Sequence, residues 1–337
     1  FAGNVSAAGP TLTDVLANSD VVASGHIDAA YNYVEGNDQL ISDFNRGSSA
    51  RGFVLHQAAL TLAKTPASGF GGLVNVTLGE DARVLNANGA NGNTTAFNLT
   101  QAYGSWTDGT TTVIGGKFTS LAGMEVIASP GNINATRGLL FFNVPYLHTG
   151  VRVSHKLSDT VTVIGGLNNA SYLYDTDGNE QSTVELAVAL NPIKPLTVAV
   201  NSYYGREGNG KDTALAVLDV VANYAASDTL TLGLNADYIN REDGVAAGTS
   251  EYKGIAAYVN QKLSPTTRIA GRAEYADNYA LGGAGHDRSF TATYGYMPAS
   301  NFELMTELRY DLSNLNRYDN GTADDLVSGT VKGVYRF

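Results

Sequence analysis

The sequence predicts one all-β domain, a transmembrane antiparallel up-and-down β-barrel of about 16 strands. Three observations carry that expectation. Alternate residues separate by chemistry along most of the chain, which is the period of a strand with one apolar and one wet face. Short turns and long polar segments alternate with a regularity not expected of a soluble sandwich. No stretch approaches the roughly 18 consecutive apolar residues of a transmembrane helix. Inside lipid only helices and closed barrels satisfy every backbone group, so alternating strands point to the barrel.

Composition agrees. Gly (38) and Tyr (19) are abundant and Pro (8) is scarce, which favours strands and tight turns. With 0 Cys, a disulfide framework and a Cys-ligated metal site are excluded. Lys plus Arg number 21 against 32 for Asp plus Glu, a net charge of −11, which disfavours nucleic acid as a partner because phosphate binding needs a basic surface. The chain starts at Phe1 with no Met and no apolar signal core, and is read as an exported chain whose signal has been removed.

Residues 1–20 are small and polar, with one short helix-like phrase from Thr11 to Asn18 that Thr11 and Asp14 would cap. They are expected to form a periplasmic segment ahead of a barrel over 21–337. The first strand opens after Val21, with Gly25, Ile27, Ala29, Tyr31 and Tyr33 on one parity and His26, Asp28, Ala30 and Asn32 on the other. Short turns then fall at 65–69, 107–110, 157–160, 191–195, 226–229, 263–266 and 297–300, built from residues that favour β-turns. Between them lie longer polar segments at 35–50, 81–94, 119–138, 175–181, 206–212, 241–250, 278–287 and 313–322. Short turns on the periplasmic side and long loops on the extracellular side give an even strand count with both ends at the short-turn rim.

The late strands make the two faces explicit. Ile269, Ala273 and Tyr275 lie opposite Arg268, Arg272 and Glu274; Leu304, Leu308 and Tyr310 lie opposite Glu303, Glu307, Arg309 and Asp311. A cationic side chain facing lipid at the midplane would cost about 2–4 kcal/mol, so the apolar face must point outward and the charges must line a water-filled lumen. Tyr33, Tyr204, Tyr238, Tyr275 and Tyr310 stand at loop ends on the outward parity, as an aromatic girdle requires.

The closing strand puts Val327, Val331, Tyr335 and Phe337 on one face and Ser328, Thr330 and Lys332 on the other. The alternative for this segment alone is the edge strand of a soluble sheet. Its terminal Phe with a second aromatic two places earlier is similar to the last strand of bacterial outer-membrane barrels. Val331, Tyr335 and Phe337 are therefore expected to close the barrel against residues 22–34.

One connection differs from the rest. Residues 119–138 form the longest and least acidic segment, and it contains apolar residues that a solvated loop does not need. It is expected to fold inward as a constriction loop, bringing Glu125 and Arg137 against wall residues Lys117, Arg152, Arg268, Arg272 and Arg309. Asp237, Glu274 and Glu307 complete the expected pore lining. The alternative is an extracellular flap.

Several phrases resemble the OmpL-like β-barrel porins. They are Thr11 to Leu16 followed by Val22 to Tyr31, Gly115-Gly116-Lys117-Phe118 before the long loop, Phe142 to Arg152 after it, and the terminal Phe337. Gly333 stands four places before that Phe, where the usual assembly signal has Gly five places before. The resemblance implies an outer-membrane channel for small hydrophilic solutes or ions, carries over no catalytic residue and requires no cofactor. A homotrimer is expected by analogy with porins of this size, small outward residues such as Gly271, Ala273 and Gly329 allowing subunits to approach.

Other readings are weaker. His286-Asp287 has the residue types of the acid and imidazole pairs of outer-membrane proteases, but adjacent polar residues near a loop are commonly plain surface. Asp175 to Glu180 hints at calcium, yet its Gly falls too early for an EF-hand loop. No metal site and no enzyme activity are expected. A plugged barrel acting as structural protein, adhesin or scaffold for a partner is the alternative to passive diffusion. The sign of the ion preference stays open, since the predicted lining mixes Arg with carboxylates.

Overall fold

The computed structural model describes residues 19–35, 51–87, 95–171, 181–207, 214–243, 248–277, 285–319 and 321–337. The expected amino-terminal helix and the Asp175 to Glu180 phrase lie outside the described residues.

Sixteen antiparallel strands bond in sequence order and form a closed barrel. The first five are β1 (Val22–Val34), β2 (Arg51–Lys64), β3 (Gly69–Leu78), β4 (Phe97–Thr107) and β5 (Thr111–Thr119). After a long connection come β6 (Leu147–Lys156), β7 (Val161–Asn168), β8 (Thr183–Ile193), β9 (Leu196–Arg206), β10 (Ala214–Ala225) and β11 (Leu230–Asp243). The ring is completed by β12 (Gly248–Ser264), β13 (Thr267–Asp277), β14 (His286–Ala299), β15 (Phe302–Ser313) and β16 (Asp325–Arg336).

Closure joins β1 to β16, with Ile27 opposite Tyr335, Tyr31 opposite Val331 and Tyr33 opposite Gly329. Gly25 and Phe337 exchange backbone hydrogen bonds of 2.8 and 3.0 Å at the short-turn rim. The Phe337 ring lies over Gly25, where a Cβ would sit 2.5 Å from its Cζ. Glycine is therefore the residue that lets the terminal aromatic close down on the first strand.

Burial is inverted relative to a soluble protein. Arg268, Arg272, Glu274, Glu303, Glu307, Arg309 and Lys332 are buried in the interior, whereas Leu308 is 67% exposed and Ile269, Leu304, Val331 and Tyr335 are exposed on the outer face. Alternation thus sends apolar side chains to the outer face and charged ones inward. Tyr33, Tyr204, Tyr275 and Tyr310 are exposed near the loop ends of their strands, as the girdle requires.

Two connections depart from their expected form. Within 81–94, expected to be irregular, Glu80–Ala87 forms a helix, α1, with Asp81, Ala82 and Leu85 buried. The described residues of 241–250 are strand, because β11 runs to Asp243 and β12 starts at Gly248. Its charged residues resemble loop composition, but backbone pairing continues beyond the apolar band wherever a neighbouring strand is long enough to supply partners.

Candidate functional site

The long connection between β5 and β6 bonds to wall residues that point into the barrel. It runs from 120 to 146, past the expected end at 138, and contains two single-turn 3-10 helices, Ser129–Gly131 and Leu140–Asn143. Leu139, Leu140 and Val144 pack with Tyr203, Leu215, Val217, Ile239, Tyr252 and Ala256, an apolar patch on the inner face of β9 to β12. Residues 139–146 read as the approach to the next strand because they are apolar. Their destination was legible only in β10, whose apolar residues Leu215, Val217 and Leu218 occupy both parities, as a strand covered on both faces requires.

Polar anchors follow around the wall. The Tyr203 hydroxyl bonds Ser120 Oγ and accepts Leu121 N–H, each at 3.0 Å, and Asn201 donates to Leu121 O at 2.9 Å. Asn235 accepts from Met124 N at 3.0 Å. Arg268 pairs with Glu303 at 2.7 Å and donates to Ile133 O at 2.7 Å. Arg272 donates to Glu125 Oε1 at 2.6 Å and to Thr136 O at 2.7 Å, and its Nε lies 2.9 Å from Glu274. Glu307 accepts from the backbone N–H groups of Ala135 (2.6 Å) and Thr136 (3.0 Å) and from the hydroxyls of Thr136 and Thr293. Arg309 forks onto both oxygens of Asp311 at 2.9 Å and donates to Arg137 O at 2.7 Å.

The tip of the connection meets the seam. Ser129 donates its hydroxyl to Asp28, whose carboxylate also pairs with Lys332 at 3.0 Å. Gln57 donates to Ile127 O at 2.6 Å and to Asp81 Oδ2 at 2.6 Å, and accepts from Ser129 N at 3.2 Å. Asp81 on α1 pairs with Arg137 at 3.2 Å and bonds His56 Nδ1 at 3.1 Å. Burial works against the Asp81 charge, but the Arg137 guanidinium and His56 outweigh it and hold the carboxyl below its ordinary value.

The expected site residues divide accordingly. Glu125 meets Arg272, and Arg268, Arg272 and Arg309 all reach the connection. Arg137 turns instead to Asp81 and to the carbonyls of Val126 and Ile127, with its guanidinium 5.3 Å from the Phe141 ring. Arg152 pairs with Glu185 at 2.8 Å, donates to Thr119 O at 3.2 Å and lies 4.4 Å above the Phe118 ring. Asp237 lies opposite Asp219, and Asn235 donates to both carboxylates. Glu274 accepts Leu140 N at 3.3 Å.

Lys117 requires correction. It is registered with Ala102 and Thr149, on the face of Val151 and opposite to Arg152, so it belongs to the outward parity. Charge suggested the lumen; the ladder sets the face, and a lysine near a strand end can extend its ammonium to the interface. His286 and Asp287 are also no acid and imidazole pair, because successive strand residues face opposite ways. Asp287 is buried and pairs with Arg317 at 3.3 Å, while His286 stacks on Tyr275 at 5.8 Å. Among the described residues no cluster of three or more His, Asp or Glu could hold a metal ion. Asp28, Gln57, Asp81 and Ser129 were missed as anchors, since nothing in their local spacing marks them.

The connection leaves a cavity of about 400 Å³ against the inner face of β1 to β4. Its wall side presents Gln57, Thr61, Asn75, Thr77, Thr100 and Gln101, and its loop side presents Val126, Ile127, Phe141, Pro145 and Tyr146.

A family model described as "Putative beta-barrel porin-2, OmpL-like" matches residues 20–337. A search of curated proteins finds no match. Among solved structures, the anion-selective porin from Comamonas acidovorans is similar with a TM-score of 0.69 at 11% identity, over 94% of this chain and 99% of that one. The outer membrane channel DcaP of Acinetobacter baumannii gives 0.65 at 14% identity, over 94% and 97%. In-vitro folded OmpT of Vibrio cholerae, in its trimer form, gives 0.64 at 13% identity, over 94% and 99%.

Proposed function

This chain belongs to the OmpL-like β-barrel porin family and is an outer-membrane porin, and on that premise we propose that it passes small hydrophilic solutes by passive diffusion, with the connection 120–146 setting the size limit. The observation that carries this reading is the cavity of about 400 Å³ left between the connection and β1 to β4. A barrel of about 16 strands otherwise encloses a wide aqueous channel, so an inward connection is what determines the narrowest section. Passage then needs no bound group: solutes shed part of their water, exchange hydrogen bonds with the wall and leave down their gradient.

A second reading is a closed barrel serving as structural protein, adhesin or scaffold, and it is favoured by the many anchors that hold the connection to both sides of the wall. Purified protein in planar bilayers and in liposomes separates the two. Diffusion predicts steady conductance and swelling with monosaccharides; a variant lacking 122–143 should conduct several-fold more and admit larger sugars. Silent wild type beside a conducting deletion variant would favour the closed barrel. A homotrimer is proposed with the channel, through the outward Gly271, Ala273 and Gly329, and the particle mass in detergent checks it.

A further inference from the structure

We propose that the passage is a selectivity slot for uncharged polyhydroxyl solutes of sugar type, discriminating little between anions and cations. This rests on the diffusion reading above. The wall of the cavity carries amides and hydroxyls: Gln57, Thr61, Asn75, Thr77, Thr100 and Gln101. Among the described residues the one carboxylate in the lining is Glu125, and it is held by Arg272 at 2.6 Å and by Gly138 N at 2.8 Å. His26 also lines it, with its Nε2 2.6 Å from Gln57 Oε1.

The charges predicted to face the pore are satisfied elsewhere. Arg268, Arg309 and Arg152 pair with Glu303, Asp311 and Glu185, Arg137 with Asp81, and Lys332 with Asp28. Asp219 and Asp237 face each other on β10 and β11, outside the lining of this cavity. Among the described residues that line this cavity, a permeating ion therefore meets no uncompensated charge of either sign, while a hydroxyl-rich solute finds both donors and acceptors. The opposite side is mostly apolar apart from Ser120 and the paired Glu125, with Phe141 and Tyr146 stacked 4.9 Å apart. One hydrogen-bonding side and one aromatic side suit a ring whose edge bears hydroxyls and whose face bears C–H groups. The volume lies within the roughly 300–1,000 Å³ of small-molecule sites.

The test uses the full-length protein and probes of equal size and different charge. Liposome swelling with glucose, gluconate and glucosamine should give rates within about twofold of one another, and reversal potentials in molar salt, where the Debye length is about 3 Å and mouth charges are screened, should give a cation-to-anion permeability ratio within about twofold of one. Gln101→Glu and Asn75→Asp are close to isosteric: the first keeps the acceptor for Thr119 N, and the second replaces the Nδ2 donor to Thr61 Oγ1 and Leu60 O with an oxygen that accepts from the Thr61 hydroxyl once it turns. Each should move the ratio several-fold toward cations. Glucose should partly block the ion current, and Tyr146→Ser should lose the block. Strong preference for one charged sugar, reversal potentials unmoved by either carboxylate variant, or equal block in Tyr146→Ser would overturn the slot while leaving a porin. Absence of both swelling and conductance in the wild type would overturn the diffusion reading itself.

Discussion

Arg272 concentrates the chemistry of the lumen in one side chain. Its guanidinium, fully buried, bonds Glu125 and the Thr136 carbonyl on the connection and lies beside Glu274 on its own strand. Truncating one partner of a buried pair costs about 3–5 kcal/mol, because the charge left behind loses both water and counter-ion. Arg272→Met should strand Glu125 and Glu274 and loosen the connection while the barrel still closes. Single-channel recording should show larger and noisier conductance, and protease should cut within 120–146; a quiet trace of wild-type size would remove Arg272 from the anchoring role. The inward address of Arg272 was legible from parity. That it would be spent on holding the connection was not, because pairing depends on how closely two distant segments approach.

At the scale of elements, α1, the connection and β2 share one carboxylate. Asp81 ties α1 to Arg137 on the connection and to His56 and Gln57 on β2. Its carboxyl is held below the ordinary value of 3.8. A depressed pKa contributes stability that is present above the unfolded value and lost as pH falls through the folded one. The latch should therefore stay shut at neutral and mildly acid pH and open only below the ordinary carboxylate range. Current fluctuations recorded against pH should rise there, and Asp81→Asn should show them at neutral pH; fluctuations in wild type beginning near pH 6 would point to a histidine instead. The sequence marked 119–138 as unusual through its length and apolar content. It missed α1, whose eight residues carry charged side chains that read as loop, and it missed residues 139–146, whose apolar pattern suits a strand as well as an inner packing surface.

The whole molecule depends on one seam. Sixteen strands close only if β1 and β16 meet in register, and the ring of Phe337 lies where a Cβ on Gly25 would be. Gly25→Val adds bulk at that contact and should slow assembly, raising the fraction that migrates as unfolded chain on a semi-native gel; unchanged folding yield would show that the ring can move aside at no cost. The number of strands, their two faces, the outward tyrosines and the closure of first strand on last follow from alternation and turn spacing, which are local properties of a chain that must satisfy its backbone in lipid. What fills the lumen is decided by contacts between residues more than a hundred positions apart, such as Arg272 with Glu125 and Glu307 with Ala135. Sequence determined that charge would point inward, through a period of two that every strand repeats. Only the tertiary structure decided that most of that charge would be neutralised in pairs and that amides and hydroxyls would remain to line the gap, because which buried ions find partners is set by geometry across the barrel.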